Sequence, residues 1–109
     1  MFTIDKDSNA MTIIKKDTAT ISLSLENYNL VDGDVVKFTV ATKLESQTPV
    51  ISKEITAFTD GAAVISLTTT DTNITEGSYF YDIQISTRDG IVDTVVGPAK
   101  FVVKGGVTY

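Results

Sequence analysis

The chain contains no histidine, no cysteine and no tryptophan. Histidine general bases, thiolate nucleophiles, disulfides and zinc sites built from His and Cys are therefore excluded. Basic residues are also scarce: nine Lys and Arg stand against fourteen Asp and Glu, for a formal charge of -5 at pH 7. That balance disfavours a nucleic-acid backbone or an anionic membrane as partner, because both would repel it. No apolar run reaches the roughly 18 to 20 residues of a membrane span, and no basic stretch followed by an apolar segment opens the chain. Synthesis in the cytoplasm, with neither nucleic acid nor membrane as partner, is the resulting expectation. Only two prolines and five leucines occur, whereas there are 17 threonines, 12 valines and 11 isoleucines, with five Phe and four Tyr. These are the β-branched and aromatic residues that pack well on a pleated surface. At 109 residues the chain has the size of one domain with a single two-layer core. A single all-β domain over residues 1–109 is expected.

Apolar and polar residues alternate with a period of two along much of the chain, the mark of half-buried strands. In 18–25, Ile21, Leu23 and Leu25 share one face and Thr20, Ser22 and Ser24 the other. In 35–43, Val36, Phe38 and Val40 alternate with Lys37 and Thr39. The segment 50–58 reads as an edge strand, since Pro49 precedes it and Lys53 and Glu54 lie within it. Asp60-Gly61 predicts a hairpin turn joining that strand to 62–68, where Ile65 and Leu67 face inward. Residues 69–77 carry turn and capping chemistry anchored by Ile74. The clearest alternation follows in 78–87, with Tyr79, Tyr81, Ile83 and Ile85 on one face, as in a central strand. Arg88-Asp89-Gly90 turns the chain into 91–96, Gly97-Pro98 breaks that strand, and 99–104 supplies the last. Residues 2–5 and 10–15 offer one or two short strands more. Seven to nine strands at spacings of about 8 to 12 residues, with no helical-period stretch, point to a disulfide-free antiparallel β-sandwich.

Carboxylates are the only candidates for acid–base work. Asp5 with Asp7, Asp32 with Asp34, and Asp89 with Asp93 sit close in sequence, each pair in or beside a turn, where Asp serves by bonding nearby backbone amides. None has the spacing of a calcium loop. No base is available to activate a serine. The expectation is a protein without catalytic residues, metal or cofactor. Among the aromatics, Tyr28 in a loop and Phe80 facing outward on a central strand are candidates for a protein contact, since aromatic side chains are enriched at interface centres. The ends, residues 1–10 and 105–109 with Phe2, Val107 and Tyr109, are further contact candidates because unpaired ends can add a strand to a neighbour.

Leu67, Asp71, Gly77, Tyr79 and Tyr81 together resemble the corner before the sixth strand of immunoglobulin-like domains. There a Tyr hydroxyl bonds back to upstream backbone, and the residue two positions later is a half-cystine in antibody domains; here that position is Tyr81. A wider resemblance spans about residues 18 to 104. It is carried by Asp34-Val35-Val36-Lys37-Phe38-Thr39-Val40, by Asp71-Thr72 followed by Gly77-Ser78-Tyr79-Phe80-Tyr81-Asp82-Ile83-Gln84, and by Val92-Asp93-Thr94-Val95-Val96 with Phe101-Val102-Val103. This pattern resembles the amino-terminal immunoglobulin-like domain of bacteriophage upper-baseplate proteins and the similar small domains of phage head fibres and tail proteins. The sequence departs from it at Ile74, where Leu is commoner, and at Gly97-Pro98-Ala99-Lys100, which replaces a shorter glycine turn. It also stops three residues after Gly106, where the family continues into a helical stalk. The resemblance implies a non-catalytic virion structural protein, docked in symmetric multicopy assembly on capsid, tail or baseplate subunits as a decoration, a head-fibre base or an adaptor. A carbohydrate-binding or cell-surface adhesion module is the alternative that the same fold class allows.

Overall fold

The computed structural model describes residues 3–4, 10–25, 28–43 and 48–106. The chain is built almost wholly of strands: β1 (Thr3–Ile4), β2 (Met11–Ile14), β3 (Ala19–Leu23), β4 (Val35–Ala41), β5 (Ile51–Ile55), β6 (Ala63–Leu67), β7 (Gly77–Ser86) and β8 (Val92–Lys104). One helical turn, α1 (Thr69–Thr72), follows β6. The strands form two sheets, a six-stranded one in the order β1-β2-β8-β7-β4-β5 and a two-stranded one of β3 and β6.

Alternation in the sequence becomes alternation in burial. Strands β3 and β6 each show the same buried, exposed, buried pattern, so Ile21 and Leu23 face inward beside Ala63, Ile65 and Leu67. Along β7, Tyr79, Tyr81, Ile83 and Ile85 are buried while the residues between them are half-buried. That asymmetry fits a strand with neighbours on both sides, and β7 is indeed paired with β8 and with β4. Inward side chains of both sheets join one core. At its centre three rings from adjacent strands meet: Phe38 and Tyr81 with centroids 5.6 Å apart, and Phe101 at 6.3 Å from each. Such tilted and edge-on contacts set the positive ring edge toward a negative ring face.

Three features depart from expectation. Asp60 and Gly61 do form a tight turn, both at positive φ and closed by bonds between Thr59 and Ala62. It does not join a hairpin, however: β5 pairs with β4 in the large sheet, whereas β6 pairs with β3 in the small one. The turn is a crossing between layers, because β6 buries its alternate residues only by lying opposite the large sheet. Second, the strand pairs are not all antiparallel, since β2 runs parallel to β8 from Met11 opposite Phe101 to Ile14 opposite Lys104. Third, Gly97-Pro98 does not break the last strand. Two register shifts against β7, between Tyr81 and Ile83 and between Ile83 and Gln84, let β8 carry extra residues and continue through. Proline is tolerated at such a bulge because its missing N–H is not needed for the ladder. Glycine is required beside it: at a φ of 87°, a Cβ on Gly97 would lie 2.6 Å from the Tyr81 carbonyl oxygen.

Strand β5 lies at the edge of the large sheet. Lys53 shares the inward face of β5 with Ile51 and Ile55, and its ammonium meets the Asp71 carboxylate of α1 at 2.7 Å. A charge pointing inward on an edge strand discourages pairing with a foreign strand. Here it also ties the edge of one sheet to the turn that leaves the other.

Candidate interaction surface

Two connections meet at one end of the molecule. The first, residues 28–34, carries the chain from β3 to β4. The second, residues 87–91, joins β7 to β8. A turn from Val31 to Asp34 closes the first through the Asp34 N–H bond to the Val31 carbonyl, with Gly33 at φ 99°. The second is closed by Thr87, whose N–H bonds the Ile91 carbonyl and whose hydroxyl accepts from the Ile91 N–H. The Arg88 side chain lies against the Gly33 backbone, since a Cβ on Gly33 would lie 2.9 Å from that of Arg88.

Asp34 is the pin between them. It is 1 % exposed, so its carboxylate has left bulk water and needs replacement donors. It has three. The Val31 N–H donates at 3.0 Å and the Tyr28 hydroxyl at 2.7 Å, both to Oδ2, while the Arg88 N–H donates at 3.0 Å to Oδ1. The last bond joins residues 54 apart in sequence. The Val31 N–H, then Tyr28 and the Arg88 amide, outweigh burial and hold the Asp34 carboxyl below its ordinary pKa. Donating to that carboxylate in turn pushes the Tyr28 hydroxyl up.

Around this pin the surface is apolar and acidic. Among the described residues, six large hydrophobic side chains are exposed, and four of them lie here: Ile91 (63 %), Val92 (60 %), Val31 (42 %) and Tyr28 (38 %). Asp32 and Asp89 are exposed beside them, with Arg88 as the accompanying cation, while Asp93, also exposed, lies on the other face of β8 from Val92. The acidic pairs of the sequence thus divide: Asp34 is structural and Asp32 is at the surface, while Asp89 sits in the turn and Asp93 lies on β8 opposite Ile85. Asp5 and Asp7 lie outside the described residues. Among the described residues no group of three His, Cys, Asp or Glu side chains comes together.

The residues of the anticipated corner lie at the other end of β7. Asp71 completes a capping box on α1: its backbone N–H donates to the Thr68 hydroxyl and its carboxylate accepts the Thr68 N–H at 2.8 Å. Burial opposes its ionisation, but the Lys53 ammonium and the Thr68 donors prevail and hold its pKa below the ordinary value. Thr72, fully buried, donates its hydroxyl to the Asp17 carbonyl at 2.8 Å and so pins the helical turn to the β2–β3 connection. Gly77 opens β7 at φ 151° with free space where a side chain would be. Tyr79 donates its hydroxyl to the Thr75 carbonyl. Tyr81 stays in the core trio, and burial raises its hydroxyl pKa. Replacing Tyr79 by phenylalanine removes one donor and strands a carbonyl, so a loss of about 0.5 to 1.5 kcal/mol is expected in urea titrations. A Tyr79→Phe variant as stable as the parent would show that this bond contributes nothing to the corner.

Of the contact candidates, Tyr28 is exposed and shares the tip with Asp34. Phe80 is only half-buried, on the face of β7 that carries Asp82 and Gln84, opposite Lys100 and Ala41. At about 3.3 Å per strand residue, Phe80 lies about 25 Å along the chain from Arg88, so it does not share a patch with Tyr28. Phe2, Val107 and Tyr109 lie outside the described residues. Val31, Ile91 and Val92 were not anticipated as surface contacts; the signal present was two turn motifs, Asp32-Gly33-Asp34 and Arg88-Asp89-Gly90, each flanked by an aliphatic residue. No protein-family model matches the chain, and no curated protein aligns with it significantly.

Proposed function

We propose that this chain is a non-catalytic docking module with an immunoglobulin-like sandwich fold, a bacteriophage virion structural protein present in many copies on the capsid, as decoration or head-fibre base, or on the tail or baseplate. The docking part of the reading is carried by one observation: the best-placed carboxylates are committed to structure, Asp34 pinning two loops and Asp71 capping α1, while apolar side chains stand exposed at one tip. A surface whose buried acids are committed to rigidity while aliphatic groups stand exposed is suited to adhesion rather than chemistry.

The immunoglobulin-like part is supported by topology. Strands β8, β7, β4 and β5 adjoin in one sheet with β2 parallel to β8, and β3 and β6 lie in the other. The Tyr79 hydroxyl returning to Thr75 has the form of the tyrosine corner, and Tyr81, two residues on, packs against the Phe38 ring of β4 in the core, where the half-cystine of antibody domains packs against a Trp. The virion part rests on the resemblance of residues 18 to 104 to the phage domains. Multiple copies on a symmetric lattice give avidity even where a single contact is weak.

Quantitative mass spectrometry of particles purified from a lysate of the strain carrying the gene tests this reading. Recovery of the chain at many copies per particle is the expected result. Particles without it would overturn the assignment, and glycan binding by the free chain would then favour the adhesion alternative.

A further inference from the structure

We propose that the tip formed by residues 28–34 and 87–92 docks on a protein surface that has an apolar centre and a rim of lysines and arginines. The inference rests on docking being what the module does, and it adds where the contact lies and what chemistry it takes.

Three independent observations converge on this tip. Four of the six large exposed hydrophobic side chains among the described residues fall on it, drawn from two connections far apart in sequence and from the first residue of β8. Scattered exposed aliphatics need no explanation, but their concentration on two loops tied together by Asp34, beside exposed charges, suits a contact surface. The two connections are also held in place before any partner arrives. Asp34 bonds both, Thr87 closes the second, and Gly33 leaves room for the Arg88 side chain against the first. Loops already ordered lose less entropy on association, and the affinity gained is the greater for it.

Charge selects the occupant. Asp32 and Asp89 against Arg88 leave the exposed tip acidic, within a chain of net charge -5. A basic rim on the partner would meet complementary potential and be steered toward it. A second copy of this chain is a poor occupant: tip-to-tip pairing sets two carboxylates against the same two, with one guanidinium on each side to offset them. A polyanion is excluded on the same ground. Val64, the exposed aliphatic of β6, sits among serines and threonines of the small sheet and lacks both the neighbours and the acidic rim.

The test pans a display library of random short peptides against the immobilised chain at low salt, then measures the enriched peptides by fluorescence anisotropy. Enrichment of sequences joining aromatic or aliphatic residues to Lys or Arg is expected, with binding that weakens as salt rises. Ile91→Asp should reduce affinity about ten-fold or more, the range of an interface-centre residue, while Val64→Asp leaves it unchanged. Val31→Lys, which adds a repelling cation at the tip, should act like Ile91→Asp and serves if that variant does not fold. No enrichment, enrichment without basic residues, or equal binding by the Ile91→Asp and Val64→Asp variants would overturn the proposal. Peptide binding by a chain absent from particles would retire the virion reading and leave the tip standing. Particle association untouched by both tip variants would do the reverse.

Discussion

Phe38→Ala is expected to cost about 3 to 5 kcal/mol, measured as a fall in the urea midpoint with little change in slope. Phe38 is fully buried on β4, packs against the rings of both Tyr81 and Phe101, and lies opposite Ile83 on one neighbour and Lys53 on the other. Truncation removes the ring from all of these at once, and the surrounding strands cannot close on the space because their ladders fix the spacing. Domains of this size have about 5 to 15 kcal/mol to lose, so the variant should be marginal at room temperature. Phe38→Leu keeps most of the volume and is expected to cost clearly less. If the two substitutions prove equally mild, the aromatic trio is not the centre of the core.

How much of this could be read before the fold was known differs by element. The inward sets of β3, β4, β6 and β7 were legible because burial on one face imposes a period of two, and Ile21, Phe38, Ile65 and Tyr81 all obey it. The edge position of β5 was legible from Pro49, Lys53 and Glu54. Pairing partners were not. The turn at Asp60-Gly61 is a local property of two residues, and it forms, yet which sheet β6 joins depends on where its buried side chains find an opposite face. Gly97-Pro98 misled for a related reason: a glycine and a proline end a strand unless its neighbour can accept a bulge, and β7 accepts two.

The candidate surface was legible only in parts. Both turn motifs stand out as turns, and Asp34 among them as a turn acid. That Asp34 reaches Arg88 across 54 residues follows from the order β8-β7-β4, which sets the two connections side by side and which no single stretch of sequence encodes. The inward aim of Lys53 was hidden likewise, because its partner Asp71 belongs to the other layer's exit. Long-range polar contacts are consequences of topology, whereas alternation precedes it.

Asp34→Asn should have its largest effect on the tip rather than on the core. The substitution keeps the shape but replaces one acceptor oxygen with an amide donor, so of the three donors now aimed at the carboxylate at least one would face another donor. Hydrogen exchange at the Val31 and Arg88 amides is expected to accelerate by an order of magnitude or more, with exchange at Phe38 and Ile83 changing far less. The same carboxylate gives the fold an acid dependence of known sign. Its donors hold the folded pKa below the unfolded one, so the stability it contributes is fully present above the unfolded value and is lost as pH falls through the folded value. Asp71, also lowered, acts in the same direction. Thermal melts of the parent chain should therefore hold steady in the neutral range and decline as pH drops below about 4. Asp34→Asn should start lower and decline less, the two curves converging in acid. Parallel curves would mean that Asp34 carries no more stabilisation as a carboxylate than as a neutral side chain, and the loops would then owe their order to Gly33 and Thr87 instead.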